Sequence, residues 1–110
     1  MAFFTIFIAR GLSEADYRRA LRAGPTFVSS RRRDHRELLS AAGFTEVEEL
    51  DLTPQFEETQ RAWLDGRGSY ARELIAAEGE ASFNDRRANG VRHLAGIEAG
   101  LLRRALFVCS

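Results

Sequence analysis

Seven of the eight residues from Ala2 to Ala9 are apolar, and they do not alternate with polar ones. A strand with one wet face alternates; a run without alternation needs cover on both faces. The stretch therefore predicts a buried strand at the start of the chain. It is far shorter than the roughly 20 residues that cross a bilayer. No positive region precedes it and no small-residue cleavage site follows, so neither a membrane span nor a signal peptide is expected.

Gly11 ends this strand, and Ser13-Glu14-Ala15-Asp16 reads as a capping box that opens a helix to about Arg22. Gly24-Pro25 stops it. Thr26 to Arg33 reads as a loop, and Asp34 starts a second helix that Gly43 closes. Thr45 to Leu52 alternates apolar and charged residues, with one slip at Glu48-Glu49. That pattern predicts a half-exposed strand carrying a bulge.

Thr53-Pro54 is a helix start, with Thr as N-cap and Pro at the first helical position. Phe56, Trp63 and Tyr70 recur every seven residues and so share a helix face. The spacing predicts one long or kinked helix from Pro54 to about Glu78, with Gly66 and Gly68 as the kink. Phe83, Arg87, Gly90, Leu94, Ile97 and Leu101 mark the next helix, with Gly100 as its C-terminal cap. Ala105-Leu106-Phe107-Val108, within Arg104 to Cys109, reads as a last buried strand. A helical crossover between the first two strands favours their parallel pairing; nothing local places the third.

With 110 residues the chain is one domain, residues 1–110. Its net charge is zero, so it has no general attraction for nucleic acid or an anionic membrane. Arg31-Arg32-Arg33 with Arg36 is the densest basic cluster, but Asp34 and Glu37 dilute it and no aromatic residue interleaves. It reads as a solvated loop before a phosphate contact. Cys109 is the single cysteine, which excludes an internal disulfide and fits a cytoplasmic protein. His35 and His93 lie far apart, without a second metal ligand at usable spacing, so no metal site is expected.

Three stretches together resemble the end of class I SAM-dependent methyltransferases. Leu38-Leu39-Ser40-Ala41-Ala42-Gly43-Phe44-Thr45-Glu46-Val47 looks like that family's step into its sixth strand. Asp51-Leu52-Thr53-Pro54 with the Phe56 to Trp63 helix is the second stretch, and Gly100 to Val108 resembles the closing strand. The opening apolar run looks like the fifth strand. The resemblance implies an α/β fold, a partial Rossmann-like methyltransferase fold with four to five helices. Its three-stranded mixed sheet would have the order first, last, second, the last strand antiparallel.

The resemblance also implies that residues 54–99 correspond to the helices capping the acceptor pocket. The half that binds SAM has no counterpart here. Gly66-Arg67-Gly68 follows no strand, so it is not a nucleotide loop. No cofactor is therefore expected in this chain, and no catalytic residue is assigned.

The aromatic stripe is read first as core packing. The functional reading makes Trp63, Arg67 and Tyr70 substrate-binding residues, with Tyr17, His93 and Asp51 as weaker candidates. An apolar first strand without its usual neighbour predicts a homo-oligomer, or pairing with a missing N-terminal methyltransferase half. A non-enzymatic interaction module is the alternative function.

Overall fold

The last strand, β3 (Leu102–Cys109), lies in the middle of the sheet, paired on both edges and with buried side chains on both faces. Leu102 and Phe107, on opposite faces of β3, are the largest fully buried side chains. The computed structural model describes residues 1–24 and 34–110. Before β3 come β1 (Ala2–Ile8), α1 (Glu14–Ala23), α2 (His35–Ala41), β2 (Val47–Asp51), α3 (Thr53–Ser69), α4 (Ala71–Glu78) and α5 (Glu80–Glu98). The expected loop over Thr26 to Arg33, with Arg31, Arg32 and Arg33, lies outside the described residues.

The sheet order is β1-β3-β2, first, last, second, as the resemblance implies. Both ladders are antiparallel, so β1 and β2 run parallel to each other but never pair. The locally expected parallel pairing is thus replaced by insertion of β3. Backbone bonds extend both ladders, Ala9 N–H donating to Leu101 at 2.9 Å and Leu52 N–H to Arg104 at 2.8 Å.

Each face of the sheet carries its own core. On one, Ile8 and Leu102 join Ala20 of α1, Phe56 of α3 and Ile97 of α5. On the other, Phe7, Ala105 and Phe107 pack with Phe3, Leu39 and Val47. His35 belongs to this second core, its ring centroid 5.3 Å from those of both Phe7 and Phe107.

Cover over β1 is uneven, which corrects the expectation of burial on both faces. Phe7 and Ile8 are buried, but Phe4 is 57% exposed. No bulge appears in β2: Val47 to Asp51 pair one-to-one with Cys109 to Ala105. The slip in polarity has another origin. Glu49 shares a face with Val47 but stretches to Arg10, 2.8 Å away, while Leu50 sits on the opposite, open face at 42% exposed. An edge strand with little cover tolerates either residue type on either side.

Two helices start as expected. Asp16 N–H donates to the Ser13 hydroxyl (3.1 Å), and Arg36 N–H to the Asp34 carboxylate (2.9 Å). Thr53 is a correction: α3 has Leu52 as its N-cap and no side-chain cap bond. The Thr53 hydroxyl donates to Asp51 at 2.6 Å and accepts from the Arg104 N–H at 3.1 Å, stitching the end of β2 to β3. The Asp51 carboxylate takes over part of the capping by accepting from Thr53 N–H at 3.0 Å.

The break in the long helix also moves. Gly66 and Gly68 stay helical, and α3 gives way to α4 at Tyr70 (φ −108°, ψ 27°). Tyr70 N–H still reaches the Gly66 carbonyl at 3.1 Å and Leu74 N–H the Tyr70 carbonyl at 2.9 Å, so the ladder bends without parting. Gly79, at φ +87°, supplies the left-handed backbone that turns α4 into α5. Gly100 (φ +75°) closes α5, with Leu101 N–H donating to Gly96 at 2.9 Å.

The α3–α4–α5 arm lengthens the molecule to 51 × 32 × 20 Å. Its radius of gyration is 16.2 Å, where a compact domain of this length has about 13 Å.

Candidate functional site

The aromatic stripe of α3 runs out of the core step by step. Phe56 is 8% exposed against the sheet, Trp63 is 42% and Tyr70 64%. Periodicity put the three on one face, but only the first turn of that face lies over the sheet. Further out it faces α5 and the end of α4.

Trp63 lies on α5 at Gly90. A Cβ at Gly90 would stand 2.6 Å from Trp63 Cζ3 and 2.7 Å from Leu64 Cδ2, so only glycine leaves room for the indole. Gln60 Nε2 donates to the Gly90 carbonyl at 3.3 Å and ties the two helices there. Beside this contact lies an open cavity of about 300 Å³, lined by Thr59, Gln60 and Trp63 of α3 and by Arg86, Gly90 and His93 of α5. Burial, with the Arg92 charge beside it, holds the His93 imidazole below its ordinary value. His93 is therefore neutral at neutral pH and offers one nitrogen as an acceptor. An indole wall, a neutral imidazole and an amide suit a small group with an apolar body and a polar tip.

Arg67 lies deeper. Its guanidinium carbon is 5.1 Å from the Trp63 ring centroid and 5.2 Å from that of Phe83, and it pairs with Glu78. Glu78 also binds Arg86. With a side chain only 12% exposed, Arg67 ties α3, α4 and α5 together. Of the three substrate-binding candidates, the structure brings Trp63 and Arg67 together. Tyr70 stands apart at the α3–α4 bend and does not line the cavity. Gly90, Gln60 and Thr59 are members that sequence reasoning missed. The readable signal was a glycine at an inward position of an otherwise regular helix.

The weaker candidates separate as well. Tyr17 packs against the first core cluster. Asp51 lies at the far end of β2. Burial pushes its carboxyl up, but hydrogen bonds from Thr53 and the Arg103 guanidinium outweigh this and hold it below the usual carboxylate range. Arg36 of the basic cluster donates to the Val47 carbonyl at 2.7 Å.

Among the described residues, neither Gly66-Arg67-Gly68 nor the turn at Gly11 has the form of a nucleotide loop. Gly66 and Gly68 spend their backbone groups in the helix ladder. The strand-to-helix turn at Gly11 is already closed by Ser13 and carries Glu14 and Asp16 in the first turn of α1, charges that oppose a carboxylate. Among the described residues no group of three potential metal ligands occurs, and no helix is long and apolar enough to cross a membrane.

The fold is part of the SAM-dependent methyltransferase fold. The chain is similar to phosphoethanolamine N-methyltransferase 2 of Haemonchus contortus, solved with phosphomonomethylethanolamine and S-adenosylhomocysteine. The TM-score is 0.74 at 13% identity, over 98% of this chain and 25% of that one. It is also similar to the mycolic acid cyclopropane synthase CmaA1. The complex with S-adenosylhomocysteine and CTAB gives a TM-score of 0.74 at 19% identity, and the apo form 0.77 at 21%. Each covers 99% of this chain, and 43% and 45% of the synthase respectively. The chain thus spans less than half the length of these proteins. No family profile and no curated protein sequence matches it.

Proposed function

We propose that this chain is the C-terminal portion of a SAM-dependent methyltransferase, contributing a sheet edge and the helices that cap the acceptor, and inactive alone. The carrying observation is the lopsided match: 98–99% of this chain superposes on only 25–45% of the methyltransferase chains. The outer edge of β1 is where the cofactor-binding portion would continue the sheet. Residues 54–99 would then close over the acceptor, with Trp63 at the pocket wall, Arg67 holding the arm in shape and Tyr70 reaching out from the bend. A buried lone thiol at Cys109 suits a cytoplasmic setting.

Calorimetric titration of the chain with SAM tests this reading. No heat at micromolar concentrations is expected, and micromolar binding would overturn the claim that the donor site lies elsewhere. A second reading, an interaction module, draws on the same unpaired strand. In it, two copies join through β1. Light scattering that gives a clean monomer at high concentration would remove it.

A further inference from the structure

We propose that the cleft between α1 and α5 binds a tetrahedral oxyanion of the phosphate class. Arg19 and Arg22 of α1 and Arg92 of α5 surround a cavity of about 340 Å³, floored by Ala23, Gly96 and Leu101. No carboxylate lines it.

The three guanidiniums are only partly committed. Arg19 pairs with Asp16 at 3.0 Å through one of its nitrogens. Arg92 bonds the neutral side-chain carbonyl of Asn89, and Arg22 has no carboxylate partner among the described residues. Arg22 in the last turn of α1 also faces that helix's negative end, but this accounts for one cation and not for three around one cleft. A dianion there would relieve their mutual repulsion and accept several forked, charge-assisted hydrogen bonds.

The frame is rigid. A Cβ at Gly96 would lie 2.9 Å from the Ala23 Cβ and 3.0 Å from Leu102 Cδ1, so α1 and α5 touch here with nothing between them. That contact fixes the spacing of the arginine-bearing turns, and its small residues leave depth beneath the cations. The floor accommodates a short carbon stem, so the site suits a phosphate monoester as well as the free ion. The cleft is separate from the Trp63 cavity, and the inference does not depend on the methyltransferase reading.

The test is an NMR titration of the ¹⁵N-labelled chain with inorganic phosphate and with hexyl phosphate at constant ionic strength. Saturable shifts are expected in the backbone of residues 19–23 and 92–101 and in the Nε–H signals of Arg19, Arg22 and Arg92. Tighter binding of hexyl phosphate would assign a monoester, and equal binding the free ion. Arg22→Gln should weaken affinity about tenfold and Arg22→Lys, which keeps the charge but loses the fork, by less. Unchanged Tm in both variants shows that folding is intact. Three results would each overturn the site: no saturable shift, shifts spread equally over distant arginines such as Arg61, Arg72 and Arg87, or equal affinity in Arg22→Gln.

Discussion

The two edges of the sheet flank the same central strand, residue for residue, yet are written in different chemistry. Ala105, Leu106, Phe107 and Val108 of β3 face Thr5, Phe4, Phe3 and Ala2 on one side and Asp51, Leu50, Glu49 and Glu48 on the other. Three of the four β2 residues are carboxylates and none of the four on β1 is charged. Charge on an outer strand blunts unwanted pairing, and its absence leaves an open template. β2 is thus built to be an edge. β1 carries no such guard: its outer edge is uncharged along these residues and has no strand beside it among the described residues. The same sheet thus has one charged edge and one uncharged edge.

The harshest test removes the residue common to both edges. Phe107→Ala strips the stack with Phe3, at 5.4 Å between ring centroids, together with the contacts to Phe7 and His35. It should cost about 3–5 kcal/mol in urea unfolding. A cost under about 1 kcal/mol would mean that the strand is not the shared support it appears.

Next comes a matched pair. Phe3→Ala should cost about 2 kcal/mol, because the ring is half-buried in a core. Glu49→Ala should cost under about 1 kcal/mol, because its carboxylate meets an Arg10 side chain that is 47% exposed and that also pairs with Asp34. Equal costs would erase the distinction between the edges.

The end of β2 gives a pH signature. The Asp51 carboxyl is held below its ordinary value, so the folded state binds its proton less readily than the unfolded chain does. Its contribution is complete above that value and is lost as the pH falls through the lower folded one. Asp51→Asn should cost about 0.5–1 kcal/mol at neutral pH. It should also flatten the acid limb of a stability–pH curve; an unchanged limb would detach Asp51 from the β2–β3 stitch.

The smallest change in stability should bring the largest change in association. Phe4 is exposed, and the Arg104 guanidinium lies over it, 4.9 Å from its ring centroid. Phe4→Glu should shift stability by less than about 1 kcal/mol, since the carboxylate can meet the same arginine. It should nonetheless abolish any concentration-dependent growth in mass seen by sedimentation. Persistent self-association would mean that another surface drives it.

Much of this contrast was legible in the residues. The apolar run of β1, the caps at Ser13 and Asp34 and the glycine at the end of α5 are local signals, and the structure places them as local rules require. What failed was non-local. The role of Thr53 depends on Arg104, 51 residues later, and no pattern around Thr53 reveals that partner. The exposure of Trp63 and Tyr70 depends on how far α3 outruns the sheet, while periodicity reports only the shared face. Gly90 was visible as a glycine in phase, but the close approach it permits depends on where α3 packs.

Placing β3 between the other two strands also sets the order in which the molecule can form. β1 and β2 both pair with a strand that follows them in sequence, and Ala2 must find Val108 beyond β2 and the helices α1 to α5. Helices can nucleate early, but no ladder of this sheet can close until the final strand has emerged. Until β3 is in place, the apolar β1 has no partner within this sheet, so its pairing waits on the slowest, longest-range contact of the three-stranded layer.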